Sequence, residues 1–411
     1  MHNKKPVSVL ALPFLLLMVG TVARADPVWV GSWAASPLPP RQAAGRFPAT
    51  PSFDHQTIRQ VVRLSAGGER VRLRLTNEYG GTSLRVGAAR VALADADGKI
   101  MPGTEHAVTF GGRPEATVAA GAPLLSDPVA LEVDDLDSLS ISLYFPDDTG
   151  QCTCHQVGMQ TAFVSEPGDF VAGSFAVADT LQARAFLSGV EVQTEAPAHT
   201  IVAFGDSITD GVGSTPDANH RWPDRLADRL AARDGSDDWA VVNAGISGNQ
   251  VLHDGAGESA LARFDRDVLA VPGVAAVIVF EGINDIGIGL GGGGFAPAPA
   301  GPKLTPEALI EGLRQLIYRA HSKGLTIYGA TIAPFEGAAY YSEEGEAVRQ
   351  AVNEWIRTGN EFDAVLDFDA VLRDPKHPAR IAEPLQAGDH LHGSDAGYEA
   401  LAESIDLSLF P

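Results

Sequence analysis

The hydrophobic rhythm of this chain changes period near residue 195, and that change constrains the fold more than any other feature. From about Thr57 onward, short apolar runs alternate with polar residues. Val71, Leu73 and Leu75 alternate with Arg70, Arg72, Arg74 and Thr76, the period of two of a half-buried strand. Residues 84–86, 89–93, 108–110, 116–118, 129–133 and 139–145 repeat the pattern, separated by turn clusters at 77–81 and 95–98. Short strands at such spacing predict an antiparallel all-β sandwich, jelly-roll-like in layout. The Pro-rich stretch 37–51 reads as irregular chain. After a polar junction at 191–199 the rhythm becomes strand, loop, helix. Buried runs at 201–204, 241–244, 277–280, 325–332 and 364–368 alternate with amphipathic stretches. The first of these, 222–233, carries Leu226 and Leu230, and 259–269 turns Leu261, Phe264 and Val268 inward. Thr305-Pro306 starts a third stretch that stops near Gly324. A fourth places Ala347, Val348, Ala351, Val352 and Trp355 on one face, and Ser394 caps a last helix with Tyr398, Leu401 and Ile405. Five strands alternating with helices predict an α/β region, a parallel sheet covered on both faces. The expected divisions are 1–25, 26–195 and 196–411.

The leading segment has the pattern of a secretory signal peptide. Lys4 and Lys5 precede an apolar run, 7–22, and Ala23-Arg-Ala25 offers a small-residue cleavage site. The run is short for a bilayer span, no cysteine lies near the cleavage site, and no other stretch is apolar enough to span. The expectation is export, periplasmic or secreted, with no membrane anchor. Loss of Lys4, Lys5 and Arg24 would move the net charge from −22 to about −25. Such a charge argues against nucleic acid or an anionic membrane surface as partner and accounts for solubility. Two cysteines occur, Cys152 and Cys154. A local disulfide comes first, free thiols second, and a metal last, because too few ligands cluster there. Cys154-His155 lacks the Cys-x-x-Cys-His spacing of haem attachment.

Four stretches carry chemistry. Residues 201–211 read Ile-Val-Ala-Phe-Gly-Asp-Ser-Ile-Thr-Asp-Gly, a strand that breaks at Gly205 and exposes Ser207 at its carboxyl end, where open α/β sheets bind ligands. A second strand end opens into Gly248 and Asn249. A third finishes in Gly282-Ile-Asn-Asp285. Near the end of the chain Asp389-His-Leu-His392 is followed by Gly-Ser-Asp-Ala-Gly-Tyr. This set, in this order, resembles the SGNH (GDSL-type) hydrolase family over about half the chain, from residue 198 onward. The resemblance implies a flavodoxin-like three-layer α/β/α domain, with Ser207, Gly248, Asn284 and His392 as its four signature residues.

Acyl transfer from an ester needs a nucleophile, a base, an orienting carboxylate and donors for the oxyanion. Ser207 is the candidate nucleophile and needs a base. His392 suits that role because imidazole titrates near neutrality. Asp389, three residues earlier, is close enough in a tight turn to hold the imidazole. His390 competes, but it adjoins Asp389, and the family's Asp-x-x-His pattern selects His392. His199, His220, His253 and His321 lack such a neighbouring motif and read as structural or exposed. The oxyanion hole would combine the backbone N–H groups of Ser207 and Gly248 with the Asn284 side-chain amide. Asp206 is expected to order its turn and Asp285 to buttress Asn284. The pentapeptide 205–209 is not a G-x-S-x-G elbow, and nothing calls for a metal or a cofactor. The expectation is an exported serine esterase acting on short acyl or acetyl groups, on small esters or an acylated polysaccharide. A lipase or lysophospholipase-type acylhydrolase is one alternative, and a non-catalytic carbohydrate-binding protein on the same scaffold is another. The insert 287–302 is a candidate rim or cover of the site, too poor in large apolar residues for a lipase lid. Tyr340, Tyr341 and Phe335 are read as packing before pocket lining. Oligomeric state has no signature in the sequence.

Overall fold

A computed structural model of the protein describes residues 1–2, 27–43, 49–195, 198–233, 238–291 and 303–411. Residues 3–25 of the expected leader, and 292–302 of the Gly-rich insert, lie outside these. The insert's first residues are helical, since Ile283–Gly289 forms a helix that runs past Gly287.

The alternating pattern of the first half builds two antiparallel sheets. One has four strands in the order Val28–Ala34, Leu187–Thr194, Arg70–Asn77, Ala122–Leu125. The other has six, in the order Val177–Leu181, Ala162–Pro167, Gln56–Arg63, Ser138–Phe145, Ala88–Ala94, His106–Ala107. Their inward residues, among them Ile58, Leu73, Val91, Ile141, Phe145 and Val190, form one apolar core. The predicted strand at 108–110 is not formed: a two-residue strand, His106–Ala107, precedes it, and Phe110 makes an isolated bridge. The one at 129–133 is reduced to isolated bridges from Val129 and Val133. A disulfide joins Cys152 to Cys154. Cys154–His155 then pairs with Arg184–Ala185 in a two-stranded ribbon.

The last antiparallel strand ends at Thr194 and the first parallel strand, Ala198–Gly205, follows at once. The parallel sheet has the order Asp238–Gly245, Ala198–Gly205, Val274–Phe280, Thr326–Ala330, Ala364–Leu366. The chain therefore runs outward in both directions from its first parallel strand, and the crevice at that reversal opens at the carboxyl ends. Helices Trp222–Ala231, Phe368–Leu372 and Asp395–Ser404 contact one another in one layer. Ala260–Phe264, Ile283–Gly289, Pro306–Ser322 and Glu343–Thr358 make the other. Thr305 and Ser394 cap their helices as expected, each side-chain oxygen accepting a backbone N–H one turn on. In Glu343–Thr358 the buried face is Val348, Arg349, Val352, Asn353 and Ile356. Ala347 and Ala351 face solvent, because two polar residues with partners inside the protein displace them.

The two halves share an interface. The Asp238–Gly245 strand is at the edge of the parallel sheet, and the Ser65 hydroxyl takes the Val241 N–H at 2.9 Å. Gly31 N–H donates to the Pro272 carbonyl at 2.9 Å, and Arg63 pairs with Asp228 at 2.6 Å. Ala198 and Ala240 of the parallel sheet lie in the core of the all-β half.

Candidate active site

Ser207 is placed by the strand end before it. At Gly205 a side chain would lie 2.4 Å from the Phe280 carbonyl and 2.3 Å from the Thr209 hydroxyl, so only glycine lets the strands approach this closely. Asp206 orders the turn as expected. Its carboxylate accepts the Ile208 N–H at 2.9 Å and caps the short helix Ser207–Asp210. Gly211, at φ 101°, ends that helix with its N–H on the Ser207 carbonyl. Ser207 is 6% exposed, with its hydroxyl turned toward His392.

His392 and Asp389 reach Ser207 from the far end of the chain. The Ser207 hydroxyl lies 2.8 Å from His392 Nε2, and His392 Nδ1 lies 2.5 Å from Asp389 Oδ2. Asp389 Oδ1 also accepts the backbone N–H groups of Leu391 at 3.0 Å and His392 at 2.9 Å, which shape the turn. A carboxylate opposite Nδ1 puts the proton there, so Nε2 is free to accept from Ser207. Partial burial works against the Asp389 charge, but the His392 ring and the two backbone donors outweigh it and hold the carboxyl below its ordinary range. His390 points elsewhere, its ring packed against Gly337.

Gly248 and Asn284 follow the two strands that flank the Ser207 strand. Gly248 has φ 83°, a left-handed conformation that favours glycine. Asn284 Nδ2 donates to the Asn249 carbonyl at 3.0 Å, and its Oδ1 accepts from the Tyr340 hydroxyl at 3.3 Å. Those contacts fix the amide's orientation, and the Asn249 bond uses one of its two N–H groups. Tyr340 thus orients Asn284 besides packing. Phe335 is core, and Tyr341 packs on it at 5.1 Å. Asp285 supports Asn284 through the loop that carries Asn249, not by a direct side-chain hydrogen bond. Its carboxylate accepts the N–H groups of Val251 at 2.7 Å and Leu252 at 3.0 Å, because its helix position turns it under the Gly248 loop.

Two further residues, which no motif signalled, hold that loop. Asp210 Oδ2 accepts both the backbone N–H and the hydroxyl of Ser247, at 2.9 and 2.6 Å. Buried Arg263 donates to Asn249 Oδ1 at 2.8 Å. Beneath the site lie three buried carboxyls, Asp206, Glu281 and Asp285. Burial pushes Asp285 up to about 7 and raises Asp206 and Glu281 as well. Among the described residues no group of three or more His, Cys, Asp or Glu is arranged to hold a metal ion, and no helix is long and apolar enough to cross a membrane.

Residues 203–400 match the GDSL-like lipase/acylhydrolase family. The C-terminal half of this chain is a GDSL-like domain. Solved structures resemble this half. A lipolytic protein of the G-D-S-L family from Desulfitobacterium hafniense is 23% identical, with a TM-score of 0.37 over 50% of this chain and 96% of that one. A lipase/acylhydrolase from Enterococcus faecalis is 23% identical, with a TM-score of 0.38 over 50% and 92%. An acetyl xylan esterase is 20% identical, with a TM-score of 0.38 over 52% and 100%. No curated protein matches the chain. The family match begins inside the first parallel strand, and the all-β half is an addition to the region it covers.

Proposed function

We propose that this protein is a serine ester hydrolase that works through an acyl-enzyme and prefers short acyl groups. The reading rests on one observation above all, the hydrogen-bonded chain from Asp389 through His392 to Ser207. Ser207 Oγ attacks the ester carbonyl while His392 Nε2 takes its proton. Negative charge develops on the carbonyl oxygen, facing the N–H groups of Ser207 and Gly248 and the second N–H of Asn284. His392 then protonates the leaving alcohol. Water, activated by the same ring, releases the acid and restores Ser207. Asp389 keeps the imidazole in the required tautomer and stabilises its cation.

The short-chain preference is supported by the surface. Among the described residues the exposed large apolar side chains beyond Met1 are Met101, Leu125, Phe170, Val177, Tyr318 and Val365. None of these lies in the segments that carry Ser207, Gly248, Asn284 or His392, where a long acyl chain would need cover. The net charge of −22 disfavours work on anionic lipid surfaces. Export, with a mature chain starting after residue 25 and a GDSL-like domain starting after 195, belongs to the same reading and rests on the leader pattern.

The test compares wild type and Ser207→Ala on p-nitrophenyl acetate, a long-chain p-nitrophenyl ester and acetylated xylan. Wild type should hydrolyse the acetate ester fastest, and Ser207→Ala should lose about 10⁵–10⁶-fold in kcat. Efficient release of acetate from xylan would assign a polysaccharide substrate. Equal inertness of both proteins on all three would overturn the proposal in favour of a binding protein on a hydrolase scaffold.

A further inference from the structure

His155 belongs to the all-β half, yet its ring reaches the turn that carries Ser207. Nε2 lies 2.8 Å from Asp210 Oδ1 and 3.1 Å from the Val157 carbonyl. Nδ1 lies 3.0 Å from the Ser36 carbonyl. A neutral imidazole has one nitrogen that can only accept. Here both nitrogens face oxygens, and with Asp210 ionised all three of these only accept, so both nitrogens carry protons. His155 and Asp210 are 5% and 2% exposed, which makes them a buried ion pair between the two halves. Burial is the largest influence on the ring and opposes its charge. The Asp210 carboxylate and the two carbonyls overcome it and hold the imidazole above its ordinary value.

Asp210 lies one turn after Ser207 on the same short helix, and its other oxygen holds both donors of Ser247, the residue before Gly248. One carboxylate therefore ties the nucleophile's helix to the oxyanion loop, and the histidine neutralises that carboxylate out of reach of water. We propose that His155 is a positioning residue, which fixes Asp210 and through it the Ser247–Gly248 backbone that faces the oxyanion. The inference rests on the ester-hydrolase reading of the site. The local chain is built to present this ring. Cys154, tied to Cys152, accepts the Leu38 N–H at 3.1 Å, and Leu38 packs beside Gly257 next to Ile246 at the start of the same loop.

The experiment compares His155→Ala, His155→Gln and Arg63→Ala with wild type. Arg63→Ala removes a different contact between the halves, the pair with Asp228. Two readouts are taken, kcat and KM on p-nitrophenyl acetate, and deuterium uptake of the peptide covering 246–250. His155→Ala should lower kcat by about 10–100-fold with KM nearly constant, since displacement of an oxyanion donor acts on the transition state. Uptake at 246–250 should accelerate. His155→Gln keeps one donor toward Asp210 and should recover part of kcat. Arg63→Ala should lower the melting temperature and leave kcat and loop exchange unchanged. If His155→Ala does not fold, His155→Leu, which removes both donors and keeps a side chain in their place, decides, and wild-type kcat and wild-type exchange in that variant would overturn the proposal. Equal effects of His155→Ala and Arg63→Ala on kcat would reduce His155 to generic interface packing. Should wild type hydrolyse no ester, the esterase reading falls, and loop exchange in His155→Ala or His155→Leu still supports or refutes the clamp.

Discussion

Glu281 follows the strand that leads to Asn284, and among the described residues neither of its buried carboxyl oxygens has a well-formed hydrogen-bond partner. The nearest cation, Arg263, is 3.7 Å away and already engaged with other acceptors. Burial, with Asp206 close by, raises this carboxyl well above its ordinary value. The folded value lies above the unfolded one. The stability it contributes is therefore complete below the ordinary carboxylate range and is lost as pH rises through the folded value. Asp285, raised to about 7, acts in the same direction. Asp389, held low, has the opposite sign, but its effect is confined to acid below the usual carboxylate range. Glu281→Gln removes one ionisation without changing shape. We expect its melting temperature to exceed that of wild type at pH 8, by about 1 °C for each kcal/mol recovered in a chain of this length that melts as one unit. At pH 5 the two should nearly coincide. An identical difference at both pH values would refute this account. At this scale the sequence displayed Ser207, Gly248, Asn284, Asp389 and His392, because each follows a strand or sits in a short turn with its partner. Glu281 was silent, Asp210 stood in the 201–211 stretch without a role and Tyr340 read as packing, since their roles come from contacts between segments that only the fold brings together.

The helix Ala260–Phe264 continues into a wider π turn, Asp265–Leu269, and together they hold Arg263 in a fully buried position. Its guanidinium donates to the carbonyls of Gly205 at 2.9 Å and Ala244 at 2.7 Å, where two parallel strands end and their ladders run out. It also bonds Asn249 Oδ1 and Asp267, and lies 4.0 Å over the Phe204 ring. One side chain thus fastens the Ser207 strand, its edge neighbour and the Gly248 loop. Arg263→Met would take a donor from the Asn249 side-chain oxygen and the Ala244 carbonyl, while Arg266 would still pair with Asp267. It should destabilise the protein by about 1–3 kcal/mol in denaturant unfolding, with a fall in kcat as Asn249 loosens. Lysine should not rescue it, because one ammonium cannot span a planar fork of acceptors. A loss below 1 kcal/mol would show that the staple matters little. Sequence periodicity marked Phe264 and Val268 as the inward face here and passed over Arg263, since arginine is rarely buried. Helix Pro306–Ser322 was legible from its Thr-Pro start. Strand Val177–Leu181 was not, because it is almost wholly exposed and carries no alternation to read.

At the scale of the molecule, the all-β half covers the edge strand Asp238–Gly245 and shares its core with Ala198 and Ala240. An uncovered strand edge is a template for aggregation. The chain should therefore unfold in one calorimetric transition, and residues 198–411 expressed alone should aggregate. Two resolved transitions, or a soluble and fully active fragment, would contradict that coupling. The two architectures and their order along the chain were readable from the change of hydrophobic period. How they meet was not, because the contacts join residues 31–161 to residues 210–272 and leave no local pattern.

The pairing of the first described strand sets a schedule as well as a shape. Val30 lies opposite Val192, so Val28–Ala34 cannot take its place until Leu187–Thr194 exists. Contacts this distant in sequence form slowly. On a growing chain the all-β sheet can close only as the Ser207 strand emerges, and Ala240 of the edge strand completes its core afterwards. A denatured full-length chain has no such order imposed on it. Its recovery of a working site must wait for the slowest closure in the other half.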